Sequence, residues 1–581
     1  MDNTSDKQTP GSPGDEGGRP TEAGDAAAAP EPAARVAAHG GGGEEGLKET
    51  IEALIIAFVL AFVGRGFVVE AFVIPTGSMA PTLLGQHLHV TCDQCGYSFA
   101  SDWPDHSTVR LADDERVGVA MREPTAATCP MCRHSVEFPR ATPPSSGDRI
   151  LVQKYVYSLA EPRRWDVAVF KNPQEPAVNF IKRLVGLPNE QIHLLDGNVY
   201  VRSIGEAGEP VEGWRVARKT RREDVQRAVW QPIYHSQYLP RDGGQVGTGL
   251  HQHRRQPWRV PWVADDPAAW RIEGRRSYQY DGQGGAGVIR FDFAAGGDDE
   301  LAGVYPYNQF KDNRMRPEPI EDVRIAAHVQ PAAAGLGVTL ATTARLHDTD
   351  HQDTRIGAEP LVARLEGDGT LRLIAGRGDR ERELARVSVA PLATGRSTAV
   401  ELWHVDQEAS VWVDGERVLN HQLNPSMRVL MRRPPPEDVP EVAIALDGPA
   451  TLHAVELDRD LYYSGRSYQS TPPRVARGAL ERMGDGRVMP AQPVTIRADE
   501  FFMVGDNGPW SDDGRYWTTV DAGVEARHFT DRLAAGMNAA GLVPRELMMG
   551  RAFFVYYPAP LSWQTTGRRL IPHFGAMRAI H

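Results

Sequence analysis

The chain has 581 residues, a length that predicts two or three domains rather than one ordinary hydrophobic core. Its net charge of −12 argues against nucleic acid as a partner, because binding phosphates requires clustered lysine and arginine. The 57 glycines and 44 prolines favour turns and short strands over long helices, and four cysteines are too few for a disulfide-rich scaffold.

The N-terminal segment is rich in Gly, Pro, Ala, Asp and Glu and has almost no large apolar side chains. Such a segment cannot bury enough surface to offset the conformational entropy lost on ordering, so residues 1–46 are predicted to be a disordered tail. The tail has no basic start followed by a short apolar core, so we do not expect a cleaved signal peptide.

An apolar run follows the tail, IEALIIAFVLAFVGRGFVVEAFVIP, over Ile51–Pro75. It approaches the roughly 20 apolar residues that a bilayer span needs, and its charged exceptions, Arg65 and Glu70, can lie at the interface. We predict a transmembrane helix over residues 47–72, with a buried helix of a soluble domain as the alternative. The flanking basic residues are too few to set its orientation.

From about residue 76 onward, short apolar alternations separated by Gly, Pro and Asp replace helical periodicity. The segments DRILVQKYVY, WDVAVF, NFIKRLVGL and FFMVGDN are typical of strands. The predicted fold class is therefore all-β, behind one N-terminal helix.

A serine follows the apolar run directly, in the turn-forming stretch FVIPTGSMAPTLL. Ser78 either caps a turn or acts as a nucleophile, which requires a base and a site for the oxyanion. His87 and His89 lie on one face of a predicted strand and could simply face solvent. Lys182 is set among apolar residues in VNFIKRLVGLP, and burial there would lower its pKa enough to make it a base. Because a strand lysine is ordinarily exposed, the residues alone leave this assignment open.

Five segments, in this order, resemble the sequence boxes of type I signal peptidases. They are IPTGSMAPTL (the serine box), GDRILVQKYVY, RWDVAVFKNP…NFIKRLVGLPNE (the lysine box), FFMVGDNGPWSDDGRYW (the Gly-Asp-Asn box) and VPRELMMGRAFFVYYP (the closing strand). The segments that hold these boxes cover about a third of the chain.

The resemblance implies a protease with a serine–lysine dyad, a variant of the serine-protease triad. Ser78 would attack the scissile carbonyl, and Lys182 would accept its proton and pass it to the leaving amine. The backbone N–H of Ser78 and the hydroxyl of Thr76 would form the oxyanion hole. Five residues would support the dyad, namely Ser511 by orienting the lysine, Asp513 and Arg515 as an ion pair, and Asp506 and Asn507 by completing the loop.

The Gly-Asp-Asn box departs from the family pattern at two places. Gly508, Pro509 and Trp510 follow it where Arg-Asp is usual, and Gly514 stands where a second serine is common. A differently shaped loop is expected, although the Ser-x-Asp-x-Arg spacing survives.

The implied substrates are secretory preproteins with small residues at positions −1 and −3 of the cleavage site. The substrate would bind in an extended conformation beside AFVIP through main-chain hydrogen bonds, with Phe72 and Ile74 lining shallow pockets. The resemblance also implies that catalysis needs no cofactor. It places the chain in the cell membrane as a single-pass protein, in contact with the lipid bilayer, with its catalytic domain on the extracytoplasmic side.

Two C-x2-C knuckles lie between the serine box and the next box. The ligand set of Cys92, Cys95, Cys129 and Cys132 suits a structural, tetrahedral Zn²⁺ in a zinc-ribbon-like pair of hairpins. Two disulfides are the alternative, since the resemblance places this domain in a compartment where thiols can be oxidised. Tight disulfide loops within each knuckle would be strained, which favours zinc.

A much larger insertion follows the lysine box, and its C-terminal portion has a regular strand pattern. The Asp414-Gly415 turn in ELWHVDQEASVWVDGERV is a strong hairpin signal, and the pattern resembles laminin-G or concanavalin-like jelly rolls. Such β-sandwiches bind sugars or proteins in many cases, so a glycan or protein partner is one interpretation and a structural module is the other.

The predicted organisation has eight segments. They are a tail (1–46), a transmembrane helix (47–72), a first protease-core segment (73–90), a zinc-ribbon-like insertion (91–136), a second core segment (145–202), an irregular Trp/Arg-rich insertion (203–277), a jelly-roll sandwich (278–465) and a third core segment (490–581). The favoured function is a membrane-anchored signal peptidase acting through an acyl-enzyme. The alternative is a membrane-tethered sugar- or protein-binding module with a decayed protease core.

Overall fold

The structure of the protein is a computed structural model, and its fold is predominantly β, as predicted. It describes residues 42–64, 68–103, 126–138, 142–206, 208–241, 245–248, 254–283, 285–296, 306–309, 320–345, 358–423, 440–463, 481–482, 488–489, 493–559 and 573–581. By contacts the chain divides into two units, Met1–Phe62 and Val63–His581.

The apolar run forms a helix and then a strand, which differs from the single helix predicted over residues 47–72. Helix α1 spans Gly42–Val63, and strand β1 (Val69–Val73) follows. The backbone of β1 pairs with a later strand, so its N–H and C=O groups are not available to extend the helix. Of the predicted tail, residues 42–46 belong to α1, and the rest lies outside the described residues. No helix in the described part of the chain combines the length and the apolar character needed to span a bilayer.

The elements after β1 begin with short strands. In chain order they are β2 (His87–Thr91), β3 (Ser98–Asp102), β4 (Ala126–Thr128), β5 (Ser135–Glu137) and β6 (Arg149–Gln153). Helix α2 (Val156–Leu159) precedes β7 (Val167–Lys171), β8 (Asn179–Gly186), β9 (Glu190–Leu195), β10 (Asn198–Ser203) and β11 (Arg215–Val216).

The large insertion contributes α3 and most of the strands. Its elements are α3 (Glu223–Val229), β12 (Gln231–His235), β13 (Gln245–Thr248), β14 (Arg254–Pro257), β15 (Trp262–Ala264), β16 (Trp270–Arg271), β17 (Tyr278–Tyr280), β18 (Gly287–Phe291), β19 (Val323–Pro331), β20 (Val338–Arg345), β21 (Ala358–Leu365), β22 (Thr370–Ala375), β23 (Arg382–Ser388), β24 (Thr398–Val405), β25 (Glu408–Val413), β26 (Glu416–Gln422), β27 (Ala443–Leu446), β28 (Ala450–Arg459), β29 (Glu481–Arg482) and β30 (Val488–Met489).

The C-terminal portion of the chain returns to the first sheet. Its elements are β31 (Val494–Ile496), β32 (Glu500–Val504), α4 (Ala522–His528), α5 (Thr530–Ala534), β33 (Leu542–Pro544), β34 (Met548–Tyr557) and β35 (Arg578–Ala579).

The sheet that carries the predicted catalytic segments has the strand order β1-β6-β34-β7-β8-β32-β33, with β35 on β34. Segments far apart in sequence therefore become neighbours. Val504, the last residue of β32, pairs with Arg183 of β8. The Gly-Asp-Asn box thus begins beside the lysine strand, and a four-stranded sheet, β11-β10-β9-β31, packs into the same apolar core.

The insertion folds as two packed sheets. One has the order β16-β17-β28-β19-β24-β25-β26 with β12 on β28, and the other has the order β15-β18-β27-β20-β21-β22-β23. Side chains from both sheets form one buried cluster, for example Ile325, Leu340 and Ile444. The sandwich includes β12, β15 and β16, so it begins before residue 278, where the sequence pattern predicts its start. These strands of two to five residues are too short to give a recognisable periodicity.

Candidate active site

The turn that carries Ser78 is held by apolar residues on each side. Thr76 is extended, Gly77–Met79 form one turn of 3-10 helix, and Ala80 N donates to Gly77 O at 3.0 Å. Met79 is buried in an apolar cluster of the core sheet that also contains Ile74. The Ser78 side chain is left half-buried at the edge of this cluster.

Lys182 reaches Ser78 from the middle of β8. Its Nζ donates to Ser78 Oγ at 2.8 Å, and the residue is only 4% exposed. Burial lowers the pKa of Lys182 from 10.5 to about 8, against the opposing effect of the Asp513 and Asp512 carboxylates. An amine with this pKa exists partly in the neutral form near neutral pH, as a general base must. The sequence-predicted dyad is therefore brought together with hydrogen-bond geometry.

The loop after β32 binds the backbone of the serine turn. Asn507 N donates to Ser78 O at 3.1 Å, and Asn507 Nδ2 donates to Gly77 O at 2.9 Å. Asp506 does not touch the dyad; its two carboxylate oxygens accept from Arg183 Nε and Nη2 at 2.7 and 2.6 Å. Because Arg183 follows Lys182 on the strand and points to the other face, this fully buried ion pair fixes the strand beneath the lysine.

The predicted ion pair between Asp513 and Arg515 shapes the same loop. Arg515 Nε and Nη2 donate to the two oxygens of Asp513 at 2.8 and 2.7 Å, and both side chains are buried. Asp513 also accepts from Gly505 N, and Arg515 donates to Gly508 O at 2.9 Å. The Gly508–Trp510 departure from the family pattern is thus a 3-10 turn held by Arg515.

Two glycines in this loop lie where a side chain would collide with neighbouring atoms. A Cβ on Gly514 would lie 2.7 Å from Gly541 O and 2.9 Å from Met503 O, which explains why no second serine stands there. A Cβ on Gly505 would lie 2.0 Å from Ser511 Oγ and 2.5 Å from Ser78 O.

Ser511 therefore packs beside the backbone of the nucleophile. Its Oγ is buried and has no hydrogen-bond partner among the described residues, so the structure records no bond from it to Lys182. Its predicted role in orienting the lysine stays a prediction.

The remaining predicted residues lie on the approach to Ser78. Thr76 is exposed, two residues before the nucleophile, in the position predicted for the second oxyanion donor. Ile74 is only 3% exposed in the core cluster, and Phe72 packs against the same cluster. Ala71 and Val73 are the exposed side chains of this strand, so Ile74 lies beneath the surface that a substrate would contact.

His87 and His89, the histidines near the serine, make no hydrogen bond to it and have other partners. His87 is buried, and its Nδ1 lies 2.7 Å from Gly85 O. Burial lowers the pKa of His89 to about 4, and its ring packs edge-on against His573. Neither imidazole competes with Lys182 as the base.

The four predicted ligands, Cys92, Cys95, Cys129 and Cys132, form one cluster at the ends of the β2–β3 and β4–β5 hairpins. The two knuckles are equivalent, since Cys92 N and Cys129 N each donate to the backbone carbonyl five residues on. Sulfur–sulfur distances are 3.6 Å for Cys92–Cys132 and for Cys95–Cys129, and the four sulfurs all lie within 4.8 Å of one another. Tetrahedral metal–sulfur bonds of ~2.3 Å place sulfurs ~3.8 Å apart, so the donor set fits such a metal. All four are free thiols, which disagrees with two disulfides.

Sequence reasoning missed two contributors to this site. Arg183 could have been suspected from its place next to Lys182, since the strand is buried on both faces from Lys182 onward. Asn308, from the large insertion, pairs with Asn507 and carried no signal in the sequence.

A family model described as "Signal peptidase, peptidase S26" matches residues 138–250, which include Lys182. Signal peptidase I of Rickettsia typhi is 26% identical over 156 residues, which are 27% of this chain and 43% of the relative. Signal peptidase I of Aquifex aeolicus is 59% identical over 39 residues, 7% of this chain and 15% of the relative.

This chain is similar to signal peptidase I. The resemblance predicted from the sequence motifs is confirmed, and the chain spans less than half the length of these curated relatives.

Solved structures similar to this chain include a carbohydrate-binding module, CBM66, from Bacillus subtilis and sheep galectin-11. The first is 10% identical with a TM-score of 0.20, over 34% of this chain and 96% of that chain. The second is 8% identical with a TM-score of 0.17, over 24% of this chain and 92% of that chain. TM-scores this low carry no argument, so the glycan or protein partner of the sandwich stays a prediction.

Proposed function

We propose that this chain is a serine endopeptidase that removes signal peptides from secretory preproteins, with Ser78 as nucleophile and Lys182 as general base. The observation that carries the proposal is the 2.8 Å hydrogen bond between Lys182 Nζ and Ser78 Oγ at a buried site. The similarity to signal peptidase I supports the choice of substrate.

The chemistry follows from the lowered pKa of Lys182, about 8. About a tenth of the amines are neutral at pH 7, and a neutral amine accepts the Ser78 proton as Oγ attacks the scissile carbonyl. The ammonium then gives this proton to the leaving amine, which leaves an acyl-enzyme. The neutral amine accepts a proton from the water that attacks the ester carbonyl, and it gives this proton to Ser78 Oγ as the carbon–oxygen bond to the serine breaks.

Charge on the tetrahedral intermediate needs donors next to Ser78. The Ser78 N–H and the exposed Thr76 hydroxyl are the proposed donors. Substrate would pair with β1, which ends the strand order of its sheet in the described part of the chain and so has an open edge. Phe72→Ala tests the proposed pocket, and unchanged discrimination between small and large residues at −1 and −3 would remove Phe72 from it.

Preprotein cleavage in detergent tests the dyad. Ser78→Ala and Lys182→Met should each lower kcat/KM by at least about a thousandfold, because each removes a group that acts only in the reaction. Matched controls are Ser388→Ala and Lys171→Met, both at exposed strand positions, which should cleave like the native protein. Equal cleavage by all variants would eliminate the dyad, and absence of cleavage by the native protein would favour the binding module with a decayed core.

We further propose that Cys92, Cys95, Cys129 and Cys132 hold a structural Zn²⁺ that joins the two hairpins. The equivalent knuckles and the 3.6 Å sulfur separations support this assignment. Metal analysis should find one zinc per chain, and Cys95→Ser should lower it. Metal-free protein with four titratable thiols, or with none, would contradict the proposal.

Association with a lipid bilayer also belongs to the proposal. It is supported by the exposed apolar side chains of α1, among them Leu54, Phe58 and Phe62. Flotation with liposomes should be lost in the double variant Leu54→Glu, Phe58→Glu and kept in Val263→Glu, which introduces charge at an exposed position of the sandwich. Equal flotation of all three proteins would remove α1 from the lipid contact.

A further inference from the structure

Three consecutive residues of the large insertion lie between the catalytic region and the cysteine hairpins, two of them in contact with the catalytic region and the third with a hairpin. Tyr307 and Asn308 are buried, and Gln309 is half-buried. They belong to neither sheet of the sandwich, and the sequence pattern assigned them no role.

Tyr307 packs on the glycine that precedes the nucleophile. A Cβ placed on Gly77 would lie 2.5 Å from Tyr307 Cε1 and 2.7 Å from its hydroxyl oxygen, so the ring lies directly against this backbone. The hydroxyl donates to Gln86 O at 3.4 Å, on the chain that leaves the serine turn.

Asn308 forms a closed amide pair with Asn507. Asn308 Nδ2 donates to Asn507 Oδ1 at 2.7 Å, and Asn507 Nδ2 donates to Asn308 Oδ1 at 2.9 Å. The second hydrogen of Asn507 Nδ2 goes to Gly77 O at 2.9 Å. Both hydrogens of this nitrogen are therefore used, and the pair with Asn308 sets which end of the Asn507 amide faces Gly77.

The bond to Gly77 O acts on the peptide unit that matters for catalysis. Gly77 C=O and Ser78 N–H belong to the same planar peptide, so holding the carbonyl oxygen fixes the direction of the N–H. That N–H is the proposed oxyanion donor. The adjacent carbonyl, Ser78 O, accepts from Asn507 N at 3.1 Å, so both peptides around the nucleophile are held by Asn507.

Gln309 ties the segment to the cysteine hairpins. Thr128 N donates to Gln309 Oε1 at 2.6 Å, and Gln309 Nε2 donates to Thr128 O at 2.8 Å, next to the metal-ligand candidate Cys129. The segment is thus fixed on both sides of Asn308.

We propose that Tyr307–Gln309 completes the catalytic site and that Asn308 is a positioning residue. Asn308 acts through Asn507 on the peptide between Gly77 and Ser78, whose N–H is the oxyanion donor. This inference rests on the proposed function, since it concerns the same reaction. The insertion then contributes to the geometry of catalysis and is more than a module attached to the core.

Cleavage kinetics of the full-length protein with a preprotein substrate test the inference. Asn308→Ala should lower kcat about tenfold and change KM less than about twofold, because the lost hydrogen bonds serve the transition state and not substrate binding. Asn420→Ala, at an exposed position of β26, is the matched control and should keep native kinetics.

A double-mutant cycle separates positioning from general destabilisation. If Asn308 acts through Asn507, the double variant Asn308→Ala, Asn507→Ala should be no slower than Asn507→Ala alone. Effects that multiply would overturn this route of action.

A second variant covers the case in which Asn308→Ala does not fold. Asn308→Asp keeps the size of the side chain and the acceptor for Asn507 Nδ2, but its ionised carboxylate cannot donate to Asn507 Oδ1. Its kcat should be lower than that of the native protein, with KM changed less than about twofold, because the bond to Asn507 Oδ1 is lost. A kcat equal to that of the native protein would overturn the inference.

The failure of this inference differs from failure of the proposed function. If the native protein cleaves preproteins and Asn308→Ala has the same kinetics as Asn420→Ala, only the role of Asn308 is overturned. Native protein that cleaves no preprotein would overturn both.

Discussion

Two buried lysines in this chain have opposite pKa shifts, and the difference lies in their neighbours. Lys182 contacts the Ser78 hydroxyl, and burial lowers its pKa to about 8. Lys219 is as deeply buried, and burial alone would lower its pKa. Its Nζ lies 2.6 Å from Asp406 Oδ1 and 2.8 Å from Asp460 Oδ2, and attraction to these carboxylates raises the pKa above its ordinary value.

The comparison separates a catalytic amine from a structural one. A buried lysine becomes a base where no carboxylate touches it, because burial then favours the neutral form. Lys219 instead joins the segment before α3 to the sandwich, with Asp406 in the turn after β24 and Asp460 after β28. The buried carboxylates of Asp322, Asp406 and Asp460 lie together there, and Lys219 supplies the cation among them.

The largest expected effect is on stability. Lys219→Met leaves two buried carboxylates without their cation and should lower the free energy of unfolding by about 3–5 kcal/mol. Lys182→Met should leave it unchanged or raise it at pH 7, because the folded state no longer holds an amine that burial disfavours as a cation. Urea unfolding of both variants measures this. Equal destabilisation by the two substitutions would contradict the distinction between the lysines.

The effect of Lys182 on the free energy of unfolding depends on pH, and the sign of this dependence is defined. The pKa of Lys182 is about 8 in the folded protein and 10.5 in the unfolded chain, so the unfolded chain binds more protons between these values. The native protein should therefore gain stability as the pH rises from about 8 to about 10.5. Any advantage of Lys182→Met should disappear over the same interval.

Activity should depend on pH through the same amine. Below its pKa of about 8, the neutral fraction of Lys182 falls about tenfold for each pH unit, and kcat/KM should fall with it. Cleavage rates between about pH 6 and about pH 9 check this. A flat profile down to pH 6 would remove Lys182 as the base, as would a rate that still rises about tenfold per pH unit at pH 9.

The smallest expected effect comes from a carboxylate near the dyad. Asp512 is exposed, and its charge raises the pKa of Lys182. Asp512→Asn should move the acidic limb of the pH profile down by a few tenths of a pH unit, with the same plateau rate. A shift to higher pH would contradict the electrostatic account.

The sequence predicted those features of the site that depend on short local motifs. Ser78, Lys182 and the paired Asp513 and Arg515 lie in local patterns whose residue types match their chemistry. The four cysteines were predictable for the same reason, because the C-x2-C spacing sets the geometry of each knuckle.

The features that the sequence could not predict depend on pairings between distant segments. Asn308 and Asn507 are 199 positions apart, and Arg183 and Asp506 are 323 apart. The apolar residues of β1 continue the helical run and so predict a helix, whereas the pairing of β1 with β6 makes this segment a strand. Tertiary context overrides local propensity at such places.

Titration of the lysine side chains by NMR tests the central claim most directly. The chain has seven lysines, so ¹³C labelling at Cε gives few resonances, and Lys182→Met and Lys219→Met assign the two that matter. We predict that Lys182 titrates with a pKa of about 8 and that Lys219 stays charged beyond the ordinary lysine pKa of 10.5. A Lys182 resonance that titrates at or above 10.5 would contradict the account.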